Sequence, residues 1–130
     1  MKLLFVEDDA MNRRVVKDML NVAGVLMDEA DGAQEGLRMI DSGNYDLILM
    51  DLRMPGMDGM SAIAELRQRD DEKANLPVIV LTADAAAGLR ERCMAAGASE
   101  VLFKPVSMQS LFDAIAVLVV SRDGADTIIS

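Results

Sequence analysis

Glu7, Asp8 and Asp9, then Asp51, Thr82 and Lys104, are the residues whose types and surroundings could do chemistry. Each group directly follows a short apolar run: Leu3–Val6, Leu47–Met50, Val78–Leu81 and Val101–Phe103. Carboxylates brought together repel one another, and burying them unpaired is costly. A divalent cation resolves that conflict, and oxygen-only ligands select magnesium, or manganese, over zinc. Magnesium keeps waters and takes one or two carboxylates plus a phosphate, which leaves room for a phosphoryl group. Lys104 would add a positive charge and Thr82 a hydroxyl donor, both of which charged phosphoryl oxygens require. Asp51, alone at the centre of the set, is the carboxylate left to act as nucleophile.

Composition removes several other chemistries. The chain of 130 residues is 52% hydrophobic and 27% charged, which fits one globular domain with a full core. Thirteen Lys and Arg against 22 Asp and Glu leave a net charge of -9. That acidity argues against direct binding to nucleic acid or to an anionic membrane. With no histidine and the single cysteine Cys93, imidazole bases, zinc sites and an internal disulfide are excluded. The first apolar run is too short for a signal peptide, and nothing reaches the ~20 apolar residues of a membrane span, so a cytoplasmic location is expected.

The reactive residues need strands to carry them. The four apolar runs and a weaker one, Val25–Met27, are nearly continuous in hydrophobicity, as strands buried on both faces are. Helical spacing separates them. Met11, Val15 and Met19 form a stripe that Val16 and Leu20 widen. Leu37 and Ile40 mark a second helix, Ile63 and Leu66 a third. Leu89, Cys93 and Met94 mark a fourth, and Leu111, Ile115 and Leu118 a fifth. Gly24, Gly43 and Gly97 follow helices where a left-handed residue is wanted, and Ser107 can cap the last helix. Alternation of this kind implies right-handed crossovers and a parallel sheet covered on both faces. Ligands bind outside the carboxyl ends of such strands, where the acids, Thr82 and Lys104 would meet. Residues 122–130 lose the pattern and are expected to form a mobile tail after a domain spanning 1–121.

The segments Val6-Glu7-Asp8, Asp51-Leu52-Arg53-Met54-Pro55-Gly56-Met57-Asp58-Gly59, Leu81-Thr82-Ala83 and Lys104-Pro105 resemble the response-regulator receiver family over about residues 2–120. The resemblance implies a flavodoxin-like (βα)5 fold, a doubly wound α/β sheet of order 2-1-3-4-5. It implies that Asp51 takes a phosphoryl group from a phosphohistidine on a sensor histidine kinase or a histidine phosphotransferase. Asp8 and Asp51 would bind magnesium directly, Glu7 through water, and Arg53 through its backbone carbonyl. Thr82 would bond a phosphoryl oxygen and draw its loop inward. Lys104 would pair with the phosphate, ahead of a cis Pro105. Aromatic switching is not expected, because Val101 stands where the family usually has an aromatic ring. Arg53 and Asp84 occupy positions that tune dephosphorylation in the family, and an ion pair between them, hindering the hydrolytic water, is expected.

Elsewhere the sequence favours packing. Cys93 lies within a helical pattern, and the 11 methionines read as core filler, although Met54, Met57 and Met60 could form an adaptable contact surface. Asp8 and Asp9 could also serve as helix N-terminal acids. From Met108 to Val120 the only charged residue is Asp113. A helix apolar nearly all round should be covered on more than one side. Phe112, Ala116, Val119 and Val120 are therefore expected to meet a target or a second copy, or to tuck against the fourth helix or the tail. The resemblance places the family's output and dimer face on the same fourth helix, fifth strand and fifth helix.

Three functions follow in order. The first is a phosphorelay receiver without an output domain, which signals by protein contact and is not a classical enzyme; the initial Met1 and the patternless tail favour a complete single-domain protein. The second is a phosphate sink or the receiver module of a hybrid histidine kinase. The third is a degenerate receiver acting as an unphosphorylated scaffold. An aspartyl-phosphate hydrolase of the haloacid-dehalogenase type would need an acid where Arg53 stands. Dinucleotide binding would need a glycine fingerprint after the first strand.

Overall fold

The structure, a computed structural model, describes the backbone of residues 1–129 and the side chains of residues 1–120. Strands and helices alternate: β1 (Lys2–Val6), α1 (Ala10–Val22), β2 (Leu26–Ala30), α2 (Ala33–Ser42), β3 (Leu47–Asp51), α3 (Gly59–Arg67), β4 (Val78–Thr82), α4 (Leu89–Ala96), β5 (Glu100–Phe103) and α5 (Met108–Ile129). A short 3-10 helix, Glu72–Asn75, precedes β4. The five strands form one parallel sheet of order β2-β1-β3-β4-β5. This is the flavodoxin-like arrangement expected from the sequence.

Strand residues alternate between two apolar layers, as a period of two requires. Leu4, Val6, Ile48, Met50, Val78 and Val80 pack under α2, α3 and α4. Leu3, Phe5, Leu47, Leu49, Ile79 and Leu81 pack under α1 and α5. β3 and β4 are buried at every position, which explains their unbroken hydrophobicity. Their carboxyl ends carry Asp51 and Thr82 and inherit that rigidity.

Several expectations change. The second strand is Leu26–Ala30, not Val25–Met27, because it pairs with β1 along its whole length. As an edge strand it tolerates Asp28 and Glu29, which pair with Lys2 and with Arg13 and Lys17. On α1 the core stripe is Val16 and Leu20, while Met11 and Val15 are exposed and Met19 is half-buried. The sheet beneath α1 faces only one narrow arc, and the i, i+4 row beginning at Met11 lies beside it. On α4 the buried pair is Leu89 and Cys93, with Met94 exposed.

Gly24 and Gly97 take positive φ as expected, but Gly43 does not, at φ -110. A side chain at Gly43 would crowd the Met39 carbonyl and the Tyr45 ring, so contact, not handedness, favours glycine there. Lys73 replaces a left-handed cap, its Nζ donating to the carbonyls of Ile40, Asp41 and Gly43 at 2.8, 3.0 and 3.1 Å. A cation at that end also complements the helix dipole of α2. Arg67 performs similar work on the next layer. Its guanidinium donates to the carbonyls of Gly97, Ala74 and Leu76 at 2.9, 2.8 and 2.7 Å, tying α3 to the 3-10 helix and to the turn before β5.

Met54 is buried, and Met57 and Met60 pack partly against the same core, so these methionines serve as filler. Cys93 is fully buried, and burial pushes its thiol up from its ordinary value. Ser107 caps α5 through its hydroxyl, which accepts from the Ser110 N–H at 3.0 Å. Leu111 and Ile115 are buried, and Phe112 and Val119 lean on the α1-side layer, not on α4. Ala116, Val117 and Val120 remain exposed. The side chains of the expected tail, 122–130, lie outside the described residues.

Candidate functional site

Every residue that the sequence singles out for chemistry stands at the carboxyl end of the sheet. Glu7 and Asp8 follow β1, Asp51 ends β3, Thr82 ends β4, and Lys104 follows β5. Because the order is β2-β1-β3, the connections from β1 and β3 leave in opposite directions, which opens a crevice between them.

Local structure sets each side chain. Asp9 caps α1, its Oδ1 accepting from the N–H groups of Met11 and Asn12 at 2.8 and 3.1 Å. Helix capping therefore belongs to Asp9, and Asp8 is left for the site. Asp58 caps α3 in the same way through the Ser61 N–H. Gly59 begins α3 against the end of β3, where an added Cβ would lie 2.2 Å from the Asp51 carbonyl oxygen. The Gly59 N–H instead bonds the Leu52 carbonyl at 3.1 Å, which fixes the backbone just past Asp51.

Glu7, Asp8 and Asp51 bring one carboxylate oxygen each within 4.8 Å of one another. Glu7 and Asp51 are buried and Asp8 is exposed. Lys104 Nζ lies 2.8 Å from Glu7 Oε1 and 3.5 Å from Asp51 Oδ1. Burial first, and then the neighbouring Glu7, push the Asp51 carboxyl up to about 7. Burial also opposes ionisation of Glu7, but hydrogen bonds from Asp51, Lys104 and Asn12 outweigh it and hold Glu7 below its ordinary value. Burial would lower Lys104, yet Glu7 and Asp51 more than compensate and raise it. Asp51 therefore holds its proton to higher pH than an ordinary carboxylate. Oxygen-only donors with excess negative charge suit a hard divalent cation, and Asp51, Asp8 and Glu7 are the residues that could hold it.

Thr82 is buried, and its Oγ1 accepts from the Asp84 N–H at 3.0 Å. Its hydroxyl hydrogen remains available to an acceptor in the crevice. The expected ion pair is present: Arg53 Nη2 lies 2.7 Å from Asp84 Oδ2. It bridges the loops after β3 and β4 across the mouth of the site. Asp84 Oδ1 also accepts from the Ala86 N–H at 3.0 Å. The Lys104-Pro105 peptide is cis. Val101 is buried on β5, so no aromatic side chain occupies that position.

In the sequence, Asn12-Arg13-Arg14 resembles receivers of hybrid kinases, but Asn12 and Arg13 were given no role at the site. Asn12 Nδ2 donates to Glu7 Oε1 at 2.8 Å, and Arg13 Nη1 donates to the Glu7 carbonyl at 2.7 Å. Asn12 stands five residues after Glu7, in the first turn of the helix that follows β1, and that closeness was the available signal.

Residues 3–116 match the response regulator receiver domain. The chain belongs to the response regulator receiver family. Among solved structures, this receiver is similar to the receiver domain of the Pseudomonas aeruginosa sensor histidine kinase PA1611, which has a magnesium ion coordinated in its active site cleft. The two are 34% identical at a TM-score of 0.83, with 91% of this chain and 96% of that one covered. The Thermotoga maritima response regulator TrrA, in complex with Mg(2+)-BeF, is 30% identical at a TM-score of 0.80, with 90% and 97% covered. The sensor histidine kinase RcsC of Salmonella typhi is 33% identical over 117 residues, which are 90% of this chain and 12% of that protein. Across the first curated relatives matched, this receiver spans between 3% and 17% of their length. Among the described residues, no helix is long and apolar enough to cross a membrane.

Proposed function

We propose that this receiver accepts a phosphoryl group from a phosphohistidine onto Asp51, with Mg2+ bound by Asp51, Asp8, the Arg53 carbonyl and, through water, Glu7. The observation that supports it is the buried Asp51 beside Lys104, in a crevice that also holds Thr82 and two further carboxylates. An Asp51 oxygen attacks phosphorus, the bond from phosphorus to the partner's imidazole nitrogen breaks, and the electron pair leaves with the ring. Magnesium, when held by these residues, would neutralise the carboxylates and offset the charge of the phosphoryl oxygens. Lys104 pairs with another oxygen, and the Thr82 hydroxyl donates to a third. Slow self-catalysed phosphotransfer and hydrolysis, without turnover of a substrate, complete this reading.

The donor would be a histidine kinase or a histidine phosphotransferase. Beside Lys104 a groove of about 510 Å³ runs between α1 and the loop after β5, lined by Val15, Met19, Pro105 and Val106. Val15, exposed on α1, forms part of its apolar wall. Similarity to kinases many times longer favours a second form of the reading, in which the receiver serves as a module of a hybrid kinase or as a phosphate sink. Either form places the exchange in the cytoplasm, a compartment that the buried, unpaired Cys93 also fits.

Intact mass after incubation with acetyl phosphate tests the chemistry. Addition of one phosphoryl group that requires Mg2+ is expected, and a folded protein that accepts none from either acetyl phosphate or a phosphohistidine donor returns the scaffold reading. Arg53→Ala tests the ion pair across the mouth. Opening that bridge admits water, so the phosphorylated protein should lose its added mass several-fold faster once the donor is removed. An unchanged lifetime would discard the role of the pair.

Output would pass through α4, β5 and α5, where Met94, Phe103, Val117 and Val120 are exposed. Phe112 contributes from its half-buried position. Sedimentation equilibrium with and without beryllofluoride is expected to show a dimer that depends on the state, and Val120→Glu should weaken it. A monomer in both states would remove the second copy as occupant of this face.

A further inference from the structure

One oxygen of Glu7 carries two donors. Glu7 Oε1 accepts from Lys104 Nζ at 2.8 Å and from Asn12 Nδ2 at 2.8 Å. Lys104 is shared unequally, since Asp51 Oδ1 is 3.5 Å away. A phosphoryl group on Asp51 would draw Lys104 towards itself and away from Glu7. Glu7 is only 1% exposed, so losing its cation would leave a buried carboxylate without a charged partner. Asn12 is the neutral donor that stays. Its backbone is fixed by the Asp9 cap, and Arg13 beside it holds the Glu7 carbonyl at 2.7 Å and pairs with Glu29 at 3.0 Å. The Glu7 carboxyl and the helix that supplies its amide donor are therefore anchored together.

We propose that Asn12 is a positioning residue of the phosphoryl site: its amide keeps Glu7 hydrogen-bonded in place while Lys104 transfers from Glu7 to the phosphoryl group. The inference rests on the phosphoacceptor reading of Asp51. Asn12 touches no reacting atom. It acts through Glu7, and so governs how readily Lys104 is released. A residue that merely supported the apo fold would alter stability or Mg2+ affinity, not the further step of binding a phosphoryl mimic.

Beryllofluoride binding by 19F NMR at saturating Mg2+, with Mg2+ affinity measured separately by calorimetry, distinguishes the two roles. Asn12→Leu keeps the approximate size and removes the donor, and Asn12→Ala serves as a second donor-free variant if the first folds poorly. Both should bind beryllofluoride roughly tenfold more weakly than wild type once Mg2+ is saturating, as expected for losing a hydrogen bond to a charged group. Asn12→Gln retains a donor and should recover most of the affinity. Unchanged beryllofluoride affinity in both donor-free variants overturns the inference, as does a loss explained wholly by Mg2+ affinity, or a glutamine variant as weak as the leucine one. Failure of wild type to bind beryllofluoride at all would overturn the phosphoacceptor reading itself, and Asn12 with it.

Discussion

Asp51→Asn is expected to abolish phosphoryl addition while leaving the fold intact. The amide has almost the shape of the carboxylate, fits the same buried place at the end of β3, and can still accept from Lys104. Its oxygen is a far poorer nucleophile, and losing a nucleophile costs several orders of magnitude in rate. Neighbouring acids are poorly placed to substitute. Glu7 is held by Lys104 and Asn12, and Asp8 is exposed at the rim. Intact mass after acetyl phosphate and Mg2+ should therefore show one added group in wild type and none in the variant. Undiminished addition in the variant would place the acceptor elsewhere and undo the proposed role of Asp51. Addition in wild type that persists after Mg2+ is chelated would instead remove the metal from the mechanism.

The sequence already showed most of this site because its residues sit where strands end. Burial on both faces makes β3 and β4 unbroken apolar runs, so Asp51 and Thr82 stand out as the first polar residues after them. β2 was less legible. An edge strand need not be apolar throughout, and Asp28 and Glu29 hid its last three residues. The α1 stripe misled for a related reason, since a period of four residues also fits the row Met11, Val15 and Met19, of which Met11 and Val15 are exposed and Met19 is half-buried. Lys73 and Arg67 escaped notice because each acts on carbonyls distant in the sequence, and nothing in local spacing announces a carbonyl 30 residues away, whereas Asn12 reaches a side chain only five residues back. The Arg53–Asp84 pair was legible only through the family resemblance, and the 2.7 Å contact then gave it a physical form.

The second large effect concerns stability, and it has the opposite sign from what a mutation in a buried site usually produces. Burial and Glu7 raise Asp51 to about 7, well above the ~3.9 of an unfolded chain. The folded state therefore binds this proton more tightly than the unfolded state between those values. Stability that is present below pH 4 is lost as pH rises through about 7, and remains lost above it. A gap of that size corresponds to at most about 4 kcal/mol, at 1.36 kcal/mol for each pH unit. Glu7, held below its ordinary value, works in the other direction at acid pH and trims the net effect there. At pH 8 without metal, Asp51→Asn removes the charge that burial penalises, and should be about 2–4 kcal/mol more stable than wild type. That corresponds to a rise in melting temperature on the order of 10 °C. At pH 4, where Asp51 is protonated in wild type, the difference should nearly vanish. Mg2+ at pH 8 should raise the melting temperature of wild type more than that of the variant, because the cation relieves the same repulsion. Equal stability of the two proteins from pH 4 to 8 would mean that Asp51 ionises freely in the apo protein. The site would then not be poised by charge repulsion to take up a cation, and magnesium affinity would have to come from preorganised geometry alone.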